Sequence, residues 1–207
     1  SDATIESTIV RATRSRSDGM FGRGIGIQHD QATHERARLT LRTSLVEGSH
    51  DSGVSVIDSD AMIESTTVRN TETDGDGKFG DGISVSSHGN SARVIITSTR
   101  ITANDRAGIS NFGANILLVS SIVKCNPIDV DGEEDPPGRA FSFDGSKENL
   151  FGCNEPSDTA SFLSFCTNDF QRLPGEAMRC HPLTSMMEVQ SAHLSAPPPI
   201  DPLKPQK

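Results

Sequence analysis

A six-residue phrase recurs five times in this chain: an apolar residue, any residue, two Ser/Thr, any residue, and a closing apolar residue. The copies are IESTIV (5–10), LRTSLV (41–46), IESTTV (63–68), ITSTRI (96–101) and LVSSIV (118–123). A repeat constrains the fold strongly, because units that stack on one another must show their neighbours the same chemistry each time.

Two residues before each opening apolar residue stands another: Ala3, Leu39, Ala61, Val94 or Ile116. This is the period-two alternation of a strand with one buried face. Three residues after each closing apolar residue comes Thr13, Ser49, Thr71, Asn104 or Asn126, short polar types that hydrogen-bond nearby backbone in turns. A further strand follows each turn: GIGI from Gly24, GVSV from Gly53, GISV from Gly82, GISN from Gly108, and a weaker RAFSF from Arg139. The copies open 36, 22, 33 and 22 residues apart, so the strands repeat while the loop between turn and Gly strand is expected to absorb the difference. Copies one and three also share that loop, SDGMFGRGIGI against GDGKFGDGISV, with Phe21 and Phe79 matched as residues that pin each loop. A helical reading fails, since β-branched residues and Ser/Thr dominate and no 3.6-residue apolar stripe is present. An antiparallel sandwich gives no reason for the same positions to recur with the same chemistry.

The pattern resembles the right-handed parallel β-helix repeat proteins, the fold of pectate lyases, polygalacturonases and many secreted or periplasmic repeat proteins. Their usual repeat reads apolar, any, Asn, Asn, any, apolar, then Asn three residues on, then Gly-Ile. Here Ser/Thr replaces the Asn pair, Asn104 and Asn126 keep the turn position, and four of five copies keep the Gly. The resemblance implies an all-β, right-handed parallel β-helix of about five coils over residues 1–145. The chain starts within a strand pattern at Ala3, so a processing boundary, or end-to-end contact with another β-helix segment, is expected there.

All 11 prolines lie at residue 127 or later, and ladder strands exclude Pro. An irregular C-terminal cap is therefore expected over 146–192 and a Pro-rich extended tail over 193–207. Cys125, Cys153, Cys166 and Cys180 fit no compact metal motif and are read as two disulfides tying the cap, with all three pairings open. Disulfides imply an oxidising location: extracellular, periplasmic or cell surface.

The formal net charge of −9 opposes nucleic-acid binding, which needs clustered Lys and Arg. No run of 18 apolar residues suggests a membrane span. TDGDGKFGDG places Asp74, Asp76 and Asp81 among glycines, a spacing that suits either calcium or a plain acidic surface loop. DVDGEEDPPG, with Asp129 and Asp131, poses the same pair of readings, and no other cofactor is expected. The resemblance to lyases implies calcium-holding acids beside an Arg or Lys base, and Arg23, Lys78 and Arg139 lie near the acidic segments. Hydrolysis of the polygalacturonase kind needs paired carboxylates; SHGN with His88 and TRIT with Arg100 are present, but no Asp-Asp pair. The chain has neither Trp nor Tyr, the usual platforms for sugars. The expected function is a secreted or cell-surface β-helix module, non-catalytic, serving structure, adhesion or the binding of a polysaccharide or cell-surface ligand, with calcium in its loops as an option. The alternative is a carbohydrate-active β-helix enzyme, polysaccharide lyase-like, or a fragment of one.

Overall fold

A computed structural model describes residues 1–19, 21–135 and 139–152, together with the backbone of 162–166. Among these there are strands and no helix. The first coil holds β1 (Asp2–Glu6), β2 (Ile9–Arg11) and β3 (Ile25–Gln28); the second holds β4 (Arg38–Arg42), β5 (Leu45–Glu47) and β6 (Ser52–Ile57). The third holds β7 (Asp60–Glu64), β8 (Thr67–Arg69) and β9 (Asp81–Ser86); the fourth holds β10 (Arg93–Thr97), β11 (Arg100–Thr102) and β12 (Ala107–Phe112). The fifth holds β13 (Asn115–Val119), β14 (Ile122–Lys124) and β15 (Ile128–Glu133); the sixth holds β16 (Ser142–Lys147), β17 (Leu150–Phe151) and β18 (Phe162–Cys166).

Like strands stack on like, giving three parallel six-stranded sheets: β1-β4-β7-β10-β13-β16, β2-β5-β8-β11-β14-β17 and β3-β6-β9-β12-β15-β18. The architecture is a parallel β-helix. Inward columns such as Leu39/Ala61/Val94/Ile116 and Val46/Val68/Ile101/Val123 fill a continuous apolar interior. Each such Ile, Leu or Val contributes about 1.5–3 kcal/mol by leaving water.

The Ser/Thr pair makes the first corner of coils one to five. Its first member, Ser7, Thr43, Ser65, Ser98 or Ser120, takes a positive φ of 46–50°, which turns the chain sharply. The second member forms a ladder along the axis. The backbone N–H of Thr8 donates to Ser44 Oγ, that of Ser44 to Thr66 Oγ1, that of Thr66 to Thr99 Oγ1, and that of Thr99 to Ser121 Oγ. Each hydroxyl in turn donates to the carbonyl two residues back, as Ser44 does to Arg42 at 2.7 Å. Hydroxyls thus satisfy the amides that a sharp corner strands. The second corner uses the expected turn residues: the Thr71 N–H donates to Asn104 Oδ1 and the Asn104 N–H to Asn126 Oδ1, both at 3.1 Å.

Three expectations change. There are six coils rather than five, and the boundary expected at 145 falls inside β16. The sixth coil hides because Asn149 replaces the ladder hydroxyl, accepting from the Ser121 N–H at 2.9 Å, and β16 is irregular against β13. The Gly strand of the fifth coil is β15, not RAFSF. Register places Asp129 beside Gly108, and its carboxylate accepts from Asn126 Nδ2 at 3.2 Å and the Gly152 N–H at 2.7 Å. The added length of coils one and three sits at both ends of the third sheet, in 12–24 and 29–37, then in 70–80 and 87–92, rather than on one side.

Candidate functional site

Strands β6, β9, β12 and β15 are buried at every position. Their inward residues, Val54, Ile83, Ile109 and Val130 among them, belong to the core, so the outward side chains are also shut away from water. Many of those outward positions are polar or charged, and burying charge is costly unless it is paired. A buried charge ladder results.

Arg106, just ahead of β12, is its centre. Its Nε donates to Asp81 Oδ1 and its Nη2 to Asp81 Oδ2, both at 2.7 Å, a bidentate fork. Its Nη1 reaches Asp131 Oδ2 at 3.0 Å and its Nη2 also reaches Ser110 Oγ at 2.9 Å. Burial alone would lower the guanidinium pKa, but Asp81 and then Asp131 outweigh it and hold Arg106 charged. One residue thereby clamps coils three, four and five. Nearer the start, Arg23 Nε donates to Asp51 Oδ2 at 3.1 Å, with both side chains about 95% buried. Burial raises the Asp51 pKa, against the pull of Arg23. Glu133 closes the ladder: burial first, then the neighbouring Asp131, pushes its carboxyl up to about 8 despite Arg106, and Oε1 has no hydrogen-bond partner.

A second polar cluster lies at the far end of the third sheet. Asp58 Oδ1 accepts from the backbone N–H groups of His88, Gly89 and Asn90 at 2.7–3.0 Å, and Asp58 Oδ2 lies 3.3 Å from His29 Nδ1. From above, His88 Nδ1 meets Asp135 Oδ1 at 3.0 Å and Arg139 Nη2 donates to the Gly89 carbonyl at 3.0 Å. The 88–90 loop is therefore gripped by coils two and five. The arrangement fixes a loop.

The sequence-derived candidates separate accordingly. Asp81 and Asp131 join the Arg106 clamp, and both lie in strands, as does Asp129, rather than in loops. Asp74 Oδ1 closes its own loop by accepting from the N–H groups of Asp76 and Lys78 at 3.0 and 2.8 Å. Asp76 is exposed, 3.8 Å from Lys78 Nζ. Among the described residues, no group of three or more His, Cys, Asp or Glu is arranged to hold a metal ion. Arg100 is exposed at the start of β11. Phe21 is half-buried, with the guanidinium groups of Arg16 and Arg23 each 5.5 Å from its ring. Phe21 and Phe79 share a φ of 62–64°, and the two long loops touch through Gly75 N–H to Gly19 O at 3.0 Å. Cys125 is disulfide-bonded; Cys153 and Cys180 lie outside the described residues, as does the side chain of Cys166.

Arg106, Asp51 and Glu133 were not anticipated as a unit. One signal was available: Arg106 lies 25 residues from both Asp81 and Asp131, a coil length in each direction. Another is spelled by the repeat itself, IESTIVR, LRTSLVE, IESTTVR, whose flanking charges invert from coil to coil. The structure pairs them: Arg11 Nε with Glu47 Oε1 at 2.6 Å, Arg69 with Glu47 Oε2 at 2.6 Å, and Arg42 with Glu64 at 3.0 Å. The Arg69 hydrogen bond holds the Glu47 carboxyl below the usual range. No family model, no curated protein and no solved structure matches the chain.

Proposed function

We propose that this chain is a non-catalytic β-helix module acting outside the cytoplasm, in the extracellular space, the periplasm or at the cell surface, as a structural, adhesive or ligand-presenting element. The observation that carries this reading is the fate of its charged groups. The acids and bases best shielded for chemistry are spent on one another, Arg23 on Asp51 and Arg106 on Asp81 and Asp131. A lyase needs a base free to take a proton from substrate. Of the basic candidates, Arg23 lies in a buried pair, Arg139 holds the Gly89 carbonyl, and half-buried Lys78 lies beside Asp76. The disulfide at Cys125 supports an oxidising location.

The test is incubation with a panel of acidic polysaccharides, reading the ultraviolet absorbance of unsaturated product, alongside thermal melts in calcium and in EDTA. The expected result is no product and one midpoint in both buffers, because Asp74 already serves its own loop. Product that requires calcium would overturn the reading in favour of a lyase.

A further inference from the structure

We infer that the outer face of the first sheet is a self-association surface, on which a second copy of this chain docks antiparallel to form a closed dimer. Strands β4, β7, β10 and β13 bury their second and fourth residues and turn the first, third and fifth outward. Pairing from β1 to β13 runs without a bulge, so the outward residues form three straight columns. The two flanking columns carry charge in rows: Asp2 and Glu6 in coil one, Arg38 and Arg42 in coil two, Asp60 and Glu64 in coil three, then Arg93 in coil four. Asp60 Oδ1 is held by Arg36, while exposed Arg93 has no ion-pair partner among the described residues. Between them the central column runs Thr4, Thr40, Met62, Ile95, Leu117. Its last three residues make a half-buried apolar stripe on the side away from the core.

The rows decide how a second copy sits. With the two stacks parallel, a two-fold axis along them sets each row against itself, Arg38 on Arg42 and Asp60 on Glu64, and like charges so placed repel. With the stacks antiparallel, the axis runs along the strands and each column meets itself in reverse order. An axis passing through coil three or coil four then sets Asp60 on Asp60 or Arg93 on Arg93. An axis between those two coils avoids every like pair and overlaps all six coils. It lays Asp60 of one copy against Arg93 of the other, Met62 against Ile95, Thr40 against Leu117 and Glu6 against Lys147, each contact occurring twice. Charge and apolar surface agree in that one register. Six strands about 4.8 Å apart and five residues wide give a face of roughly 500 Å², so the pair buries about 1,000 Å², near the lower bound for a specific interface. The dimer is therefore weak. Because both copies use the same surface, the contact is isologous and closes.

This inference goes beyond the proposed function and is tested without any substrate. Sedimentation velocity of the full chain over a concentration series at low salt should show a monomer–dimer equilibrium that stops at the dimer and weakens as salt rises. Arg93→Asp alone, or Asp60→Arg alone, sets like charges together twice and should weaken association about tenfold. Mixing the two variants in equal amounts should restore a dimer, because each altered position then meets its opposite charge in the other chain. A substitution that merely loosened the fold is not rescued in this way. Ile9→Asp, at an exposed position of the second sheet, should leave association unchanged. A wild-type chain that stays monomeric up to about 1 mM, species that grow beyond the dimer, single variants that associate as well as the wild type, a mixture that stays monomeric, or loss of the dimer in Ile9→Asp would each overturn the proposal. None of these outcomes bears on polysaccharide cleavage, so this inference and the proposed function fail independently.

Discussion

Gly82 occupies a column with no room for a side chain. A Cβ there would lie 2.7 Å from Gly108 O, Asn104 Nδ2 and Ile101 Cγ2, and Gly53 and Gly108 are hemmed in the same way. Gly82→Ala should therefore destabilise the fold by about 1–3 kcal/mol, the usual cost of overpacking, measurable as a lower denaturation midpoint. This column was legible in the sequence through GIGI, GVSV, GISV and GISN, and it misled only where the rule is broken. Asp129 tolerates the column because its carboxylate finds donors in Asn126 and Gly152. A residue that replaces packing with hydrogen bonds leaves no trace in an apolar pattern, so RAFSF looked the better match.

At the level of strands and loops, the Ser/Thr phrase and the turn residues were legible because they repeat in type as well as in position. The buried charge ladder was not, since each of its members occurs once and finds its partner a coil away. Its clamp has a measurable consequence. Arg106→Met removes the donors from two carboxylates that remain buried, and unpaired buried charge costs about 3–5 kcal/mol. The variant should unfold at a markedly lower denaturant concentration, whereas Arg42→Met, whose pair with Glu64 is exposed, should change stability by less than about 1 kcal/mol.

Over the whole molecule, stability should depend on pH through Glu133, which faces Asp131, Arg106 and Asp81. Its pKa is raised from 4.5 unfolded to about 8 folded, so the native state holds the extra proton between those values. Linkage then makes stability fall as pH rises from about 4.5 through 8, with the penalty complete above that. Glu133→Gln lacks the ionisation and should match the wild type near pH 5 but melt higher above pH 8, by roughly 1–3 kcal/mol. Equal pH profiles for the two proteins would mean that Glu133 is not the group titrating.

The alternation of charge along the outer columns also sets a rule for how such a stack can change length. Asp2, Arg38, Asp60 and Arg93 follow one another along one column, as Arg11, Glu47 and Arg69 do along another. Removing coil two or coil three, or copying any one of these coils alone, would bring like charges face to face, whereas coils two and three can be lost together without conflict. The stack has parity. Coils one and three, whose phrases IESTIVR and IESTTVR differ at one position, are of the same parity, as lengthening by pairs would require.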